Sequence, residues 1–372
     1  MKFTCSREIL MRATQIVQKG IKDVELPIMA GILLKTEGEQ LIIAFTDADE
    51  GVECRIPIQT EIEGGAILDG RYMAEIVRKM AGPSILVEKN SQDHTVRISS
   101  QESFFDLVYI DEEEFPQFPQ VDVNHTVTVS QPLLRKMINQ IIPAIAPSDT
   151  RYLLMGGLIE GSGGNLTLVG TDSHRLSIAS SPEAYDNDER LPSFKVILHK
   201  KMLSEVAGVL SQDENSTLEM ALGSNHVVFR LPGVTMIARK MEGQYPDYKG
   251  ALPQKFSTSL LINREQLVAA VDRLSLLGVG KENTPLVRFN IGDEQLILTA
   301  RDQTKGQGEE RLTAEKEGTN LELSFNGKFL LDGLRSMGSE DVKIQFSGPM
   351  SAALLTAPEE EGFEYILMPT FD

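Results

Sequence analysis

Apolar residues recur along this chain in two rhythms that alternate in a fixed order. After Ser6, the residues Ile9, Leu10, Ala13, Ile16 and Val17 fall at helical spacing. The same kind of stripe returns in QPLLRKMINQII after Ser130 and in REQLVAAVDRLSLL after Asn263. Ser and Asn suit the N-cap because a side-chain oxygen there accepts an orphan backbone N–H. Pro132 falls in a first turn, where its missing N–H costs nothing. Each stripe is followed by two apolar runs split by a turn: MAGILLKTEGEQLIIAFTD, LLMGGLIEGSGGNLTLVGTD and PLVRFNIGDEQLILTARD. These read as β-hairpins. A second helical stretch then comes at 70–80, 200–210 and 327–337, with Asp69, the weaker candidate His199, and Asn326 at the capping positions. Arg71, Lys201 and Lys328 hold the same place in the three stretches, and further strand-like runs close each copy.

One unit is therefore written three times. The pattern predicts an α+β protein of three tandem domains, each with two helices laid on an antiparallel sheet. The expected domains are 1–122, 123–253 and 254–372, because DEEEFPQFP and the proline-containing stretch from Tyr245 to Pro253 break the periodicity between copies. A chain of 372 residues with 41% hydrophobic content is long enough for such cores. It contains no run of eighteen apolar residues, so no membrane span is expected. The N-terminal MKFTCSRE lacks an apolar signal core, which places the chain in the cytoplasm as an expectation. Cys5, Cys54 and five scattered histidines match no disulfide framework or metal spacing, so no metal or cofactor is expected.

Charge changes the picture. The net charge of −18 at first argues against a nucleic-acid partner, but only if it is evenly spread. The helical segments 7–19, 70–80, 131–142, 200–210, 264–277 and 327–337 hold 14 Lys or Arg against 6 Asp or Glu, a net of +8. Subtracting +8 from −18 leaves −26 on the rest of the chain. Arg71 and Arg78, like Lys328 and Arg335, are seven apart and so share a helix face. Such helices side by side would present positive charge to a phosphate backbone. No zinc finger, helix-turn-helix or RNP motif accompanies them, and tryptophan is absent. Contact with duplex DNA would thus be independent of sequence and would permit sliding.

The three hairpins end in Asp47, Asp172 and Asp302, spaced 125 and 130 residues apart. Only the middle one continues into Ser-His-Arg-Leu. Asp172, His174 and Arg175 could form an acid–base group. No nucleophile motif, phosphate loop or metal ligand set accompanies them. The repeat partners of Asp172 favour a structural turn instead.

Taken in order, MKFT, ELPIMAGILL, DTRYLLMGGL, GTDSHRL, QYPDY, LSFNGKFLLDGL and YILMP resemble the bacterial DNA sliding clamps, the β subunit of DNA polymerase III. The resemblance runs end to end. It implies three domains per chain and a head-to-tail homodimer closing a ring, with inner helices facing double-stranded DNA and no catalysis. The implied partners are the DNA polymerase III catalytic subunit, the clamp loader, other polymerases, mismatch-repair proteins and ligase. It further implies a pocket for a short partner peptide with a glutamine and apolar residues. That pocket would use Arg151, Leu153, Leu154, Thr171, His174, Arg175, Leu176, Pro246 and Ala251, with Asn326, Phe329, Met350, Ala352, Ile366, Met368 and Pro369. Aliphatic and methionine surface suits Leu or Phe, and methionine adapts to differing partners. Phe105 and Leu107 would meet Leu276 and Leu277 of a second copy. The helices supply Arg7, Arg12, Arg71, Arg78, Lys79, Arg135, Lys136, Lys200, Lys201, Lys328 and Arg335 as basic positions towards DNA. Three features depart from the family pattern: Ser173 in place of a common glycine, Ala251 in place of valine, and the Thr370-Phe371-Asp372 tail. Ser173 would sit less comfortably at positive φ, Ala251 would widen the pocket, and all three bear on peptide preference.

Overall fold

A computed structural model describes residues 1–21, 31–47, 49–185, 192–277, 284–293 and 295–370. The ELPIMA portion of one family-like segment and the terminal Phe371-Asp372 lie outside the described residues. Among the described residues six α-helices occur: α1 (Arg7–Gln18), α2 (Gly70–Lys79), α3 (Gln131–Ile141), α4 (Lys200–Val209), α5 (Arg264–Leu274) and α6 (Gly327–Arg335). All six begin where the periodicity places them and end one to three residues early.

Capping explains the starts. Asp69 accepts from the N–H groups of Arg71 and Tyr72, Asn263 from Gln266, and Asn326 from Lys328 and Phe329. The Nδ1 of His199 accepts from the Lys201 N–H at 3.2 Å, so imidazole does here what hydroxyl or amide oxygens do elsewhere. Ser6 is extended as a cap should be, yet its side chain makes no capping bond. The largest shortfall is α5, expected to reach Leu277. After Leu274 the backbone tightens, with Leu276 N–H donating to Arg273 and Leu277 N–H to Leu274, the i to i−3 pattern of a fraying helix end.

The chain divides into two compact units, Met1–Gln131 with Gly208–Lys240, and Pro132–Ala207 with Met241–Asp372. The first unit holds a five-stranded and an eight-stranded antiparallel sheet. In the eight-stranded sheet Val234–Arg239 pairs with Gly51–Pro57, with Val234 opposite Cys54, so strands of the first and second repeats share one sheet. The strand Ser103–Val108 closes one edge of the five-stranded sheet. Helices α1 and α2 lie against each other and bury Leu10, Ala13 and Val17, and Met73, Ala74 and Val77. Cys5 and Cys54 are buried free thiols, and burial pushes both up to about 12, which leaves them protonated and inert.

The second unit holds a nine-stranded and a four-stranded sheet. In the larger, Arg175–Ser181 pairs with Glu360–Leu367, with Leu176 opposite Ile366. This pairing joins the second repeat to the third and brings the two halves of the expected pocket into one surface. Glycine decides how closely helices seat on this sheet. A Cβ on Gly157 would come within 2.6 Å of Leu203 and 2.9 Å of Ile141, and one on Gly170 within 2.6 Å of the Ile141 carbonyl.

A buried carboxylate ties α3 to the last hairpin of this unit. Glu360 Oε1 accepts from Gln140 Nε2 and pairs with Lys136, both at 2.7 Å, and its Oε2 accepts from the Gly338 N–H at 2.8 Å. Burial would push this carboxyl up, but Lys136, the Gly338 N–H and Gln140 more than offset it and hold it below its ordinary value. A depressed carboxyl contributes stability that is present above the unfolded value of about 4.3 and is lost as pH falls through the folded one. Glu360→Gln should therefore cost about 1–3 kcal/mol at neutral pH and flatten the acid limb of stability below about pH 4.3, read from urea midpoints across pH. An acid limb identical to wild type would contradict the assignment.

Candidate functional site

The site grows from one turn. Thr171 Oγ1 donates to the Arg175 carbonyl at 2.6 Å, and Asp172 Oδ1 accepts from the N–H groups of His174 and Arg175 at 3.0 Å each. The other repeats use the same device. Asp47 Oδ1 accepts from Asp49 and Glu50 at 3.1 and 2.8 Å, and Asp302 Oδ1 from Thr304 and Lys305 at 2.8 and 2.7 Å. The thrice-repeated aspartate is thus an Asx-type turn former. Asp172 spends one oxygen on this turn and the other on Arg175 Nε at 2.9 Å, so it forms no pair with the His174 imidazole.

Ser173 lies inside that turn with φ of +76°, and its N–H donates to Thr171 Oγ1. The backbone at Ser173, where the sequence pattern led us to expect a less comfortable fit, is left-handed, and serine bears the strain. Ser173→Gly should raise unfolding stability by about 0.5–1 kcal/mol, the relief of left-handed strain less glycine's entropy. A urea midpoint that stays put or falls would refute it.

Arg175 then points inward and is buried. Besides Asp172 it donates to Asp332 Oδ2 at 2.6 Å and to the Tyr365 hydroxyl at 3.4 Å, and its guanidinium lies 4.1 Å from the centroid of the Phe329 ring. Burial works against its charge, but the Tyr365 oxygen and the Asp332 and Asp172 carboxylates more than offset this and keep it protonated. Tyr365 in turn donates to the Phe329 carbonyl at 2.8 Å. Asn326 contributes by capping α6, which sets where Phe329 begins the helix. The His174 ring stacks against Phe329 with ring centroids 6.3 Å apart, and the His174 carbonyl accepts from the Met368 N–H. Asp332 and Tyr365 escaped sequence reasoning. The only available signal was a lone acid in α6 and a tyrosine at the apolar end of a strand.

Beside this polar clasp is an apolar floor. Leu176 and Ile366 belong to one buried cluster with Ile178, Tyr245 and Leu354, against which Leu153 and Ala352 pack. Met350, 72% exposed, and Met368, 43% exposed, leave thioether surface open to solvent, while Pro369 and Thr171 are buried. Arg151, Pro246 and Ala251 are exposed on segments whose neighbours Leu153, Tyr245 and Leu252 pack on the cluster. Arg151 is tied to Asp149 by two side-chain bonds of 3.2 and 3.1 Å. Leu154 departs from expectation: at 1% exposure it is core, and only its neighbour Leu153 is placed to line a pocket.

The basic positions sort by what already holds them. In the first unit Arg78 and Lys79 pair with Glu75, and Arg7 donates to the Arg78 carbonyl. In the second, Lys201 pairs with Glu205 and Arg335 with Asp272. Lys136 is engaged by Glu360, and Lys200 donates to the Ile145 carbonyl at 2.7 Å, with burial and then Arg175 lowering its basicity. These two are structural cations more than phosphate contacts. Arg71 is exposed and Arg135 half-buried, each already engaged within the chain. Arg12 and Lys328 are exposed without an ion pair among the described residues. Phe105, 45% exposed, and Leu107 lie on the edge strand Ser103–Val108. Leu276 is 75% exposed, and Leu277 adjoins Gly308 on Gly306–Leu312, the edge strand of the four-stranded sheet.

Among the described residues no cluster of His, Cys, Asp or Glu could hold a metal ion, and no helix is long and apolar enough to cross a membrane. An apolar floor and a methionine rim thus stand beside a buried polar clasp, all carried on a repeated α+β unit. Three domain signatures match the chain in order: the DNA polymerase III β subunit N-terminal domain over residues 1–119, its central domain over 128–247 and its C-terminal domain over 249–371. The chain belongs to that family, and it is a processivity clamp of DNA replication, a non-catalytic subunit. The β sliding clamp of Bacillus subtilis is 27% identical over 379 residues, and that of Staphylococcus epidermidis 29% over 381, each covering 99% of both chains. The crystal structure of the Bacillus subtilis clamp superposes with a TM-score of 0.91 at 27% identity, covering 100% of this chain and 99% of that one. That of the Pseudomonas aeruginosa clamp bound to griselimycin superposes at 0.92 with 27% identity and full coverage of both.

Proposed function

We propose that two copies of this chain close head to tail into a ring around duplex DNA in the cytoplasm, with the three repeats 1–122, 123–253 and 254–372 as its clamp domains. The edge strands support this reading. Ser103–Val108 and Gly306–Leu312 each end a sheet and leave one ladder of backbone groups open among the described residues. Such an edge invites pairing with another chain. Phe105 and Leu107 lie on the first edge, Leu277 adjoins the second and the neighbouring Leu276 is exposed, so strand pairing would come with apolar closure.

The six helices face the DNA in this arrangement, and diffuse Lys and Arg hold the duplex without deep wells along its sequence. Ring topology then prevents escape where affinity does not. The pocket built on Leu176, Ile366, Met350 and Met368 receives an apolar peptide of the polymerase III catalytic subunit, the clamp loader, other polymerases, mismatch-repair proteins or ligase. The single observation that carries the tethering role is the apolar floor with its methionine rim beside the His174–Phe329–Arg175 clasp.

Loading onto nicked circular DNA with a clamp loader, followed by linearisation, tests the reading. A ring stays on the circle through a high-salt wash and slides off once ends are cut. Protein that never loads would be a DNA-independent adaptor, and protein retained on linear DNA would be an ordinary binder. Either result overturns the ring.

A further inference from the structure

The sheet face that carries Leu176 and Ile366 continues beyond the pocket. Register sets its cross-strand rows: Thr171–Leu176–Ile366–Leu354, then Leu158–Val169–Ile178–Glu364–Thr356, then Lys195–Glu160–Thr167–Ser180. Successive rows lie two residues apart along each strand, about 7 Å. Over the second and third rows runs a groove of about 640 Å³, floored by Thr167, Ile178, Ser180 and Glu364 and bordered by Phe194, Tyr248 and Leu252. Ile178, Tyr248 and Leu252 also belong to the apolar cluster beneath the pocket, so the two depressions share a ridge.

Most polar groups of the groove have partners within it, and Lys249, which also lines it, lies over the Tyr248 ring. Tyr248 donates to Glu160 at 2.6 Å, Lys195 pairs with Glu160 at 2.5 Å, and the Thr167 and Ser180 hydroxyls bond each other at 3.1 Å. Glu364 is half-buried and makes no hydrogen bond or ion pair with any described residue. It stands one row from Ile366, at the boundary between apolar pocket and polar groove. A carboxylate without a partner attracts a cation offered to it, and the neighbouring Lys195 is already committed to Glu160.

We propose that this groove reads the flank of the same peptide whose apolar residues fill the pocket: an extended segment with a lysine or arginine two to four residues from its apolar anchor, paired with Glu364. The proposal rests on the pocket reading above. The spacing follows from the rows, since about 7–14 Å separates the anchor from the groove and an extended chain advances about 3.3 Å per residue. Hydroxyls on the floor suit backbone or small polar side chains of such a segment, and the Phe194 ring suits an aliphatic stem.

Calorimetric titration with synthetic peptides tests it. Each peptide carries a glutamine, a leucine and a phenylalanine as anchor. The flank, on either side of the anchor, bears lysine, alanine or glutamate at the second to fourth position. A lysine flank should bind about three- to tenfold tighter than alanine, and glutamate weaker than alanine. Glu364→Gln should erase the lysine gain and leave the alanine-flanked peptide unchanged. Equal affinity for lysine and alanine flanks, or a gain that survives Glu364→Gln, overturns the groove. Met368→Ala separates the two readings: if it weakens the alanine-flanked peptide while lysine brings nothing, the pocket stands and the groove alone fails. Absence of binding by every peptide overturns both.

Discussion

Arg175→Ala is expected to lower the unfolding free energy of the second unit by about 3–5 kcal/mol and to abolish capture of an apolar peptide. The reason is that one guanidinium holds four groups from three elements of the chain. It bonds Asp172 in the turn, Asp332 on α6 and Tyr365 on the Glu360–Leu367 strand, and it lies over the Phe329 ring. Alanine leaves the largely buried Asp172 carboxylate without its side-chain partner and α6 without its tie to the turn. The cost exceeds that of a surface pair because both charge and packing are lost in a place water scarcely reaches. Arg175→Lys should recover less than half of the loss, since an ammonium cannot bond Asp172 and Asp332 in a fork and also stack on an aromatic face. Urea midpoints measure the first effect and peptide titration the second. A loss below about 1 kcal/mol with peptide affinity retained would show that the clasp does not organise the site.

Much of this architecture was legible because it is local. Helix starts follow from apolar spacing and from Asp69, Asn263 and Asn326, each of which satisfies N–H groups within three residues of itself. The repeated aspartate could be read as structural because Asp47 and Asp302 lack the Ser-His-Arg that follows Asp172, and all three prove to make the same turn. What could not be read is non-local. Three tandem domains, each with its helices on an antiparallel sheet, were expected, but the pattern did not say that strands of neighbouring repeats join edges, as Val234 with Cys54 and Leu176 with Ile366 do. A strand's apolar pattern says which face is buried and nothing of which edge it will join. The same limit hid Asp332 and Tyr365, and it made Lys136 and Lys200 look like surface cations when a carboxylate and a carbonyl hold them. Leu153 and Leu154 are indistinguishable by type, and only the local backbone decides that the first lines the surface while the second is core.

Leu276→Asp is expected to convert the dimer to monomers without unfolding the chain. At 75% exposure within one chain, Leu276 contributes little to its own unit, so the substitution should change unfolding stability by no more than about 0.5 kcal/mol. Leu277 would be a poorer choice, because its side chain already packs beside Gly308 and its loss would disturb the edge strand itself. In the proposed dimer Leu276 faces Phe105 and Leu107 of the partner, and a carboxylate there is buried against apolar groups with no cation to receive it. A penalty of about 3 kcal/mol per contact is a conservative figure for an unpaired buried charge. A head-to-tail ring of two chains carries that contact twice, so the penalty doubles and the dimer constant weakens by about ten-thousandfold. Sedimentation velocity across a dilution series should then show dissociation to monomer at protein concentrations about ten-thousandfold above those at which the wild type dissociates. The peptide pocket lies wholly within the second unit of one chain, and its affinity should be unaltered. Loading on circular DNA should vanish, because a monomer has no ring to close. A variant that sediments as dimer, or that loads like wild type, would place the interface elsewhere on the molecule.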